Sequence, residues 1–238
     1  MRRDDGFTLI ELLVSMSVGV VVLLGAFTIV DQAMPATSRV TDRVAAQARG
    51  RAGMEQVISQ LRSVVCVAQT SGATTTFQTP FDNVSNDSQV TFYVQMLGAP
   101  SGGTDPAIVN SFQPEKRILQ VTGGKLVEQR YAGVLTSGTW SWPTQTASRV
   151  VLPDVQPYGG GTPYFAYYAA NSSTPMTTPL SSADWPRVAR VQVAFNAGPN
   201  RTASDPNTYA QLRDSASVQL PVDYTDATTT AKGPQCAY

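Results

Sequence analysis

Glu11 is the strongest candidate functional residue of this chain, because it is a carboxylate inside an apolar run. No other charged residue lies between Phe7 and Val30. A charged side chain costs about 2.5–3.5 kcal/mol at the middle of a bilayer and less near its surface, so a charge in such a run needs a partner. Cleavage after Gly6 would create one, the new α-amino group of Phe7, four residues from Glu11.

The six residues from Gly6 to Glu11 read Gly-Phe-Thr-Leu-Ile-Glu and follow a short charged leader. This sequence resembles the class III leader of type IV prepilins and of the pseudopilins of type II secretion systems. The resemblance implies that a prepilin peptidase in the membrane cuts between Gly6 and Phe7, and that Phe7 is then N-methylated. It also implies that Glu11 pairs with the Phe7 amine of a neighbouring subunit when a fibre assembles.

The same resemblance implies the class of protein and its partners. We expect a structural subunit, a minor pilin or pseudopilin, without enzymatic activity or a cofactor. Its partners would be the prepilin peptidase, other pilin or pseudopilin subunits, the assembly platform in the cytoplasmic membrane and, before assembly, the lipid bilayer. Nucleic acid is not expected, because Lys plus Arg and Asp plus Glu are 17 each and leave no net positive charge.

Composition argues against several kinds of active site. The chain has no histidine, the commonest general base and metal ligand. Two cysteines, Cys66 and Cys236, are too few and too far apart in sequence for a structural zinc site. The aspartates are scattered without the spacing of a calcium loop, so we expect no metal site.

In an exported domain Cys66 and Cys236 could form a disulfide. It would close a loop of about 170 residues, which the chain-entropy model values at about 4–5 kcal/mol. The alternative is two unrelated thiols. The export signal and the even number of cysteines favour the bridge.

The elements that must position Glu11 begin with a leader, residues 1–6, and an apolar helix, residues 7–30. As a helix these 24 residues would be about 36 Å long, enough to cross a bilayer and later to fill the core of a fibre. Arg2 and Arg3 favour a cytoplasmic N-terminus. The domain that follows would then lie in the periplasm or outside the cell. Neither an ordinary secretory signal nor a plain signal anchor explains Glu11.

Residues 31–66 predict a second, amphipathic helix. Pro35 should end or kink the first helix, and Thr37 or Ser38 could cap the second. Arginines mostly take the face opposite the apolar side chains, and we interpret that face as solvated or packed between subunits. The apolar positions that recur at helical spacing are Val40, Val44, Ala48, Val57, Ile58, Leu61, Val64 and Val65.

Glycines interrupt both helical segments. Gly19 and Gly25 lower the helix propensity of the apolar run, and Gly50 and Gly53 weaken the middle of the amphipathic segment. In the apolar run we interpret them as sites of close helix packing in lipid. The family resemblance implies instead a segment that can extend when the fibre forms.

Residues 67–238 are rich in Thr, Ser, Gly and Pro with short alternating runs, which is typical of an antiparallel β domain. The clearest hairpin joins residues 117–122 to residues 125–131 through Gly123-Gly124, a two-residue turn that needs positive φ. We therefore predict an α+β, pilin-like fold in which a long N-terminal helix packs on an antiparallel β-sheet. Further strands are expected at residues 90–96, 149–152, 164–168, 187–195 and 215–222, with loops at 98–106, 159–163, 172–182 and 197–207.

The order of elements after the leader resembles that of J-type minor pseudopilins and W-type minor pilins. It comprises a helical turn from Met54 to Arg62, the Gly-Gly hairpin, the segment from Val151 to Val155, the segment from Phe165 to Tyr168 and the strand from Arg187 to Phe195.

Two other functions stay open at this point. A fibre-borne module for adhesion, or for binding DNA or a secreted substrate, would use the aromatic residues Trp140, Trp142, Tyr164, Phe165, Tyr167 and Tyr168. Packing within the sheets explains these aromatic residues more simply. An anchored enzyme is disfavoured, because no nucleophile and base have a suitable spacing.

Overall fold

A computed structural model describes residues 8–71, 74–82, 84–96, 113–199 and 208–218, with the backbone alone for residues 32–36, 68, 70, 71, 74–77, 95 and 96. One long helix, α1 (Leu9–Arg62), precedes a β domain, which confirms the expected α+β class. The strands are β1 (Val67–Ser71), β2 (Thr74–Gln78), β3 (Gln89–Met96), β4 (Gln113–Thr122), β5 (Lys125–Ala132), β6 (Val134–Thr136), β7 (Thr139–Ser141), β8 (Gln145–Leu152), β9 (Val155–Gln156), β10 (Phe165–Ala169), β11 (Val188–Ala197) and β12 (Ala210–Ser217).

The strands form two antiparallel sheets and two separate hairpins. The first sheet has the order β3-β4-β5-β8, and the second has the order β10-β11-β12 with β9 paired to the end of β11. The hairpins are β1-β2 and β6-β7. Gly123 and Gly124 have φ angles of 55° and 71° between β4 and β5, so the predicted two-residue turn is confirmed.

The sequence located most of the longer strands but misplaced the last one. The predicted strands around residues 90–96, 149–152, 164–168 and 187–195 correspond to β3, β8, β10 and β11. β12 instead begins five residues before the predicted start, at Ala210, and ends at Ser217. Its position is set by pairing with β11, where Ala210 lies opposite Ala197. The hairpins β1-β2 and β6-β7 lack apolar alternation, so the sequence did not predict them.

Two of the predicted loops are confirmed and two lie wholly or partly outside the described residues. Residues 159–163 and 172–182 connect strands without forming one, and Gly159, Gly160 and Gly161 all have positive φ. The loop predicted at residues 98–106 and most of that at residues 197–207 are outside the described part of the chain.

Helix α1 continues through Pro35, so the prediction of two helices with a new cap at Thr37 or Ser38 is wrong. A proline inside a helix removes one backbone hydrogen bond and costs about 3 kcal/mol. Ending the helix would instead leave several backbone groups without partners and would require a second nucleation step. Thr37 is an ordinary helical residue whose carbonyl accepts the hydroxyl of Thr41 at 3.0 Å.

The helix ends at Arg62, four residues before the predicted end at Cys66. The chain leaves the helix because it joins the edge of β3. Val64 forms an antiparallel bridge with Val94, and the Val65 N–H donates to the Tyr93 carbonyl at 2.9 Å.

The core lies between the second half of α1 and the two sheets. Helix residues that face it are Ala46, Gly50, Gly53, Met54, Val57, Ile58 and Leu61. They pack against β8, β11 and β12, and large side chains such as Phe92, Phe165 and Phe195 fill the space between the sheets.

Val44 and Ala48 were predicted to face this core, and that prediction is wrong. Val44 is 60% exposed, and Ala48 is exposed as well. Together with Val40 they repeat every four residues and share one side of the helix. The β domain covers the opposite side, beginning at Ala46.

The two glycines in the middle of α1 allow the sheets to approach the helix backbone. A Cβ atom on Gly53 would lie 2.7 Å from Leu152 Cδ2, and one on Gly50 would lie 2.7 Å from Ala197 Cβ. Both distances are far below ordinary carbon–carbon contact. These glycines weaken the helix by propensity but make this close packing possible.

Candidate assembly site on the N-terminal helix

The first part of α1, Leu9–Asp31, is the one helix in the described chain that is long and apolar enough to cross a membrane. Its 23 residues would be about 34 Å long, slightly more than the thickness of the bilayer core. Every side chain in this segment is exposed. An apolar surface of this extent requires lipid or other helices around it.

Hydroxyl groups do not interrupt the apolar character of this segment. The hydroxyls of Ser15, Ser17 and Thr28 donate to backbone carbonyl oxygens of the preceding turn at 2.7–2.9 Å. Such bonds satisfy the donors within the helix. Asp31 lies at the end of the segment, so Glu11 is the charged side chain within the apolar run that still requires a partner.

Glu11 lies in the first turn of α1, where the helix dipole favours a negative charge. Thr8 precedes the helix, and its carbonyl accepts the Glu11 N–H at 3.1 Å. Thr8 and Glu11 have the spacing of a capping box, a signal that the sequence analysis missed. The Thr8 side chain nevertheless makes no capping hydrogen bond. Among the described residues the Glu11 carboxylate forms no hydrogen bond or ion pair.

Several predicted site residues fall outside the described part of the chain. Gly6 and Phe7, the predicted cleavage and methylation residues, precede it, and Cys236 follows it. Cys66 lies between the Val64 bridge and β1 and packs against the core. The Glu11–Phe7 pair and the Cys66–Cys236 disulfide therefore stay predictions.

Comparison with known proteins bears on this end of the molecule. Residues 1–27 match the family described as the prokaryotic N-terminal methylation motif. The chain begins with a class III, prepilin-type signal peptide. The prepilin motif implies processing by prepilin peptidase and assembly with other pilin subunits, and it supports a type IV pilin-like or pseudopilin-like subunit. With the apolar helix, it is consistent with anchoring in the inner membrane. The chain as a whole has no significant match among curated proteins.

The described aromatic residues of the β domain do not form one exposed platform. Phe165 and Tyr167 are buried in the core, and Tyr168 is covered by the guanidinium of Arg190, 4.0 Å from the ring centroid. Trp142 instead packs on Tyr93 of the other sheet, with ring centroids 4.6 Å apart. Packing therefore accounts for these rings, as the simpler interpretation of the sequence proposed.

A cluster of charges beneath the helix is the polar feature of the β domain that sequence analysis missed. Glu128 on β5 is fully buried. Its two carboxylate oxygens accept hydrogen bonds from Arg130 Nε at 2.7 Å and Arg149 Nε at 2.5 Å, and Gln56 of α1 donates to it at 3.4 Å. Arg117 Nη1 lies 3.7 Å from the same carboxylate.

The arginines hold Glu128 in its charged form. Burial alone would raise the pKa of the Glu128 carboxyl, but hydrogen bonds and charge from Arg130 and Arg149 outweigh it and lower the pKa. Glu115 supplies a second carboxylate, 2.6 Å from Arg117 Nε. A signal for this cluster was present in the sequence, because the Gly-Gly turn sets Arg117 opposite Arg130.

Proposed function

We propose that the mature protein, residues 7–238, is a minor pilin or minor pseudopilin, a structural subunit that assembles into or initiates a type IV pilus or a type II secretion pseudopilus. Glu11 carries this proposal, as a lone carboxylate in the first turn of a fully exposed apolar helix. The prepilin leader immediately before it supports the same conclusion.

In this proposal the helix has two successive environments. Before assembly, Leu9–Asp31 holds the subunit in the cytoplasmic membrane with its N-terminus inside and its β domain in the periplasm or outside the cell. After extraction, the same surface packs against the helices of neighbouring subunits in the fibre. Both environments remove the exposed apolar side chains from water.

Glu11 would select the position of the incoming subunit. The Phe7 amine of a neighbour would neutralise the carboxylate, because a buried unpaired charge is strongly unfavourable whereas a matched pair is tolerated. A helix that is displaced along the fibre would leave both charges unpaired. The pair would therefore set the axial register.

The β domain supports a minor role rather than that of a densely repeated subunit. It has two four-stranded sheets and two further hairpins. Its order of elements, from the Gly-Gly hairpin through β8 and β10 to β11, supports the J-type or W-type subunit that the sequence resembles. A domain of this size is easier to place at the tip of a fibre than along its shaft.

Replacement of Glu11 tests the proposal directly. We expect Glu11→Ala to be cleaved and methylated normally, while its amount in sheared fibres falls at least about tenfold, since a pair worth about 1.4 kcal/mol or more is lost. Ser15→Ala is the matched control, because it removes a polar group one turn away whose hydroxyl is already satisfied. Incorporation of Glu11→Ala at the level of the wild type would refute the proposed pair.

The processing step has a separate readout. We expect intact-mass and N-terminal peptide measurements on protein from the native host to give a mature chain that begins with N-methylated Phe7. A chain that retains residues 1–6, or that begins elsewhere, would contradict the prepilin assignment itself, whatever the behaviour of Glu11→Ala.

We further propose that Cys66 and Cys236 are joined. Cys66 follows the end of α1 and packs against the core, so a bond at this point would fasten the C-terminal residues to the start of the β domain. Peptide mapping without reduction should recover one cross-linked peptide pair. Recovery of both cysteines as free thiols from exported protein would contradict it.

A further inference from the structure

The outer edge of the first sheet has no partner strand among the described residues. β8 pairs with β5 on one side, and within the described chain no strand pairs with its other side. Six consecutive residues of β8, 145–150, are exposed. An exposed edge of this kind presents backbone donors and acceptors to which another extended chain can bind.

The register of the β4-β5 hairpin determines where the backbone groups of β5 point. Thr122 and Lys125 flank the two-residue turn and form its hydrogen-bonded pair. Alternate residues of β5, starting at Lys125, then direct their N–H and C=O groups toward β4. Glu128 and Arg130 belong to the other set and direct theirs toward β8.

The free backbone groups of β8 follow from the same register. Opposite Glu128 and Arg130 lie Arg149 and Ala147, whose backbone groups therefore point toward β5. Ser148 lies between these two residues and points its N–H and C=O away from the sheet. The exposed edge thus offers the backbone of Ser148 to an additional strand.

Positive charge accompanies this edge. Arg130 and Arg149 share the single carboxylate of Glu128, and Arg149 remains 48% exposed. Among the described residues, the cluster with Arg117 and Glu115 included has three arginines and two carboxylates. A carboxylate arriving along the edge would meet Arg149 without having to displace Glu128.

We propose that β8 binds an extended acidic segment of another protein as an additional strand, with the Ser148 backbone supplying the hydrogen bonds and Arg149 pairing with an Asp or Glu of that segment. The sequence of β8, Gln145–Leu152, contains no acidic residue. Pairing of two β8 strands from two copies would therefore bring two Arg149 side chains close together, with no acidic residue on either strand to pair with them. Charge thus favours a different, acidic partner over a second copy.

In-cell photocrosslinking with the full chain in its native host tests this proposal. The photoreactive amino acid p-benzoylphenylalanine would replace Ala147, which shares the face of Arg149, and in a control it would replace the exposed Gln211 of β12. We expect a crosslink at position 147 that is at least about fivefold stronger than at position 211. Mass spectrometry of the crosslinked peptides should then locate the crosslink in a segment of the partner protein that contains Asp or Glu.

Variants distinguish strand pairing from general proximity. Ser148→Pro removes the outward N–H and should abolish the crosslink, whereas Ser148→Ala keeps the N–H and should retain it. Arg149→Gln should reduce the crosslink severalfold, with Arg187→Gln, 57% exposed and distant in the chain, as the charge-matched control. Unfolding midpoints of the purified full-length variants in detergent should confirm that each one is folded.

Other outcomes would overturn the proposal. They are an equal or absent crosslink at position 147, capture of a second copy of this chain, and capture of a segment without carboxylates. An unchanged crosslink in folded Ser148→Pro would exclude the proposed backbone pairing.

Discussion

The two halves of α1 have one continuous backbone but opposite surroundings. Leu9–Asp31 exposes every apolar side chain, whereas Ala46 to Leu61 buries one face against β8, β11 and β12. The glycines show the same difference. A Cβ atom on Gly19 or Gly25 would meet nothing within 4 Å, whereas one on Gly53 would clash with Leu152. The first half thus depends on partners outside the molecule, and the second half is part of its core.

Truncation of one leucine in each half of α1 should give the largest difference in stability between the two halves. Leu61→Ala removes a fully buried side chain and should lower the free energy of unfolding of the β domain by about 3 kcal/mol. Leu13→Ala, at a position that is 61% exposed, should leave it unchanged. Urea unfolding of the full chain in detergent, monitored by tryptophan fluorescence, measures the stability of both variants. Equal losses of unfolding free energy in the two variants would mean that Leu9–Asp31 packs on the β domain.

Glycine replacement sharpens the comparison with a smaller effect. Gly53→Ala should gain about 1 kcal/mol of helix propensity but lose about 1–3 kcal/mol by overpacking against Leu152. We therefore expect a net loss of about 1 kcal/mol in the same urea experiment.

Two controls accompany the glycine measurement. Gly25→Ala, which has open space around it, should not destabilise the domain. Leu152→Ala combined with Gly53→Ala should cost less than the sum of the two single changes, because the shortened side chain makes room for the new methyl group. Additive costs would show that the close contact is not the cause.

Low pH should lower the stability of the β domain, on which the second half of α1 packs, and should not affect the first half of α1. This is the smallest of the expected effects. The pKa of Glu128 is lowered in the folded protein, so its contribution to stability is present above the pKa of an unfolded glutamate, near 4.3, and is lost as the pH falls through the lower folded value. Urea midpoints between pH 7 and pH 3 should decline more steeply for the wild type than for Glu128→Gln. Parallel curves would exclude this role for Glu128.

Sequence analysis succeeded where a local pattern carries its own constraint. Gly123 and Gly124 require positive φ, and the alternation of Val90, Phe92 and Val94 predicts the strand that the structure has as β3. It failed at Pro35, because the free-energy cost of a proline inside the helix was smaller than the cost of ending the helix there. It failed at Val44 because helical spacing indicates which residues share a side of the helix, but not which side the β domain covers.

The ionic cluster around Glu128 also could not be predicted in full from local sequence, because it depends on which strands pair. Glu128 and Arg149 are 21 residues apart and meet only because β8 returns to the open side of β5. The hairpin turn alone predicts that Arg117 lies opposite Arg130. It does not predict that helix α1 covers Glu128 from above, through Gln56.

The sequence by itself determined the prepilin leader, the apolar helix and the isolation of Glu11, because these depend on residue order and hydropathy along a single segment. Tertiary structure alone decided which face of α1 is buried, how closely the sheets approach the helix at Gly50 and Gly53, and which edge of the first sheet has no partner strand in the described chain. Those properties depend on contacts between residues far apart in the chain, and their geometry is set by packing rather than by local preference.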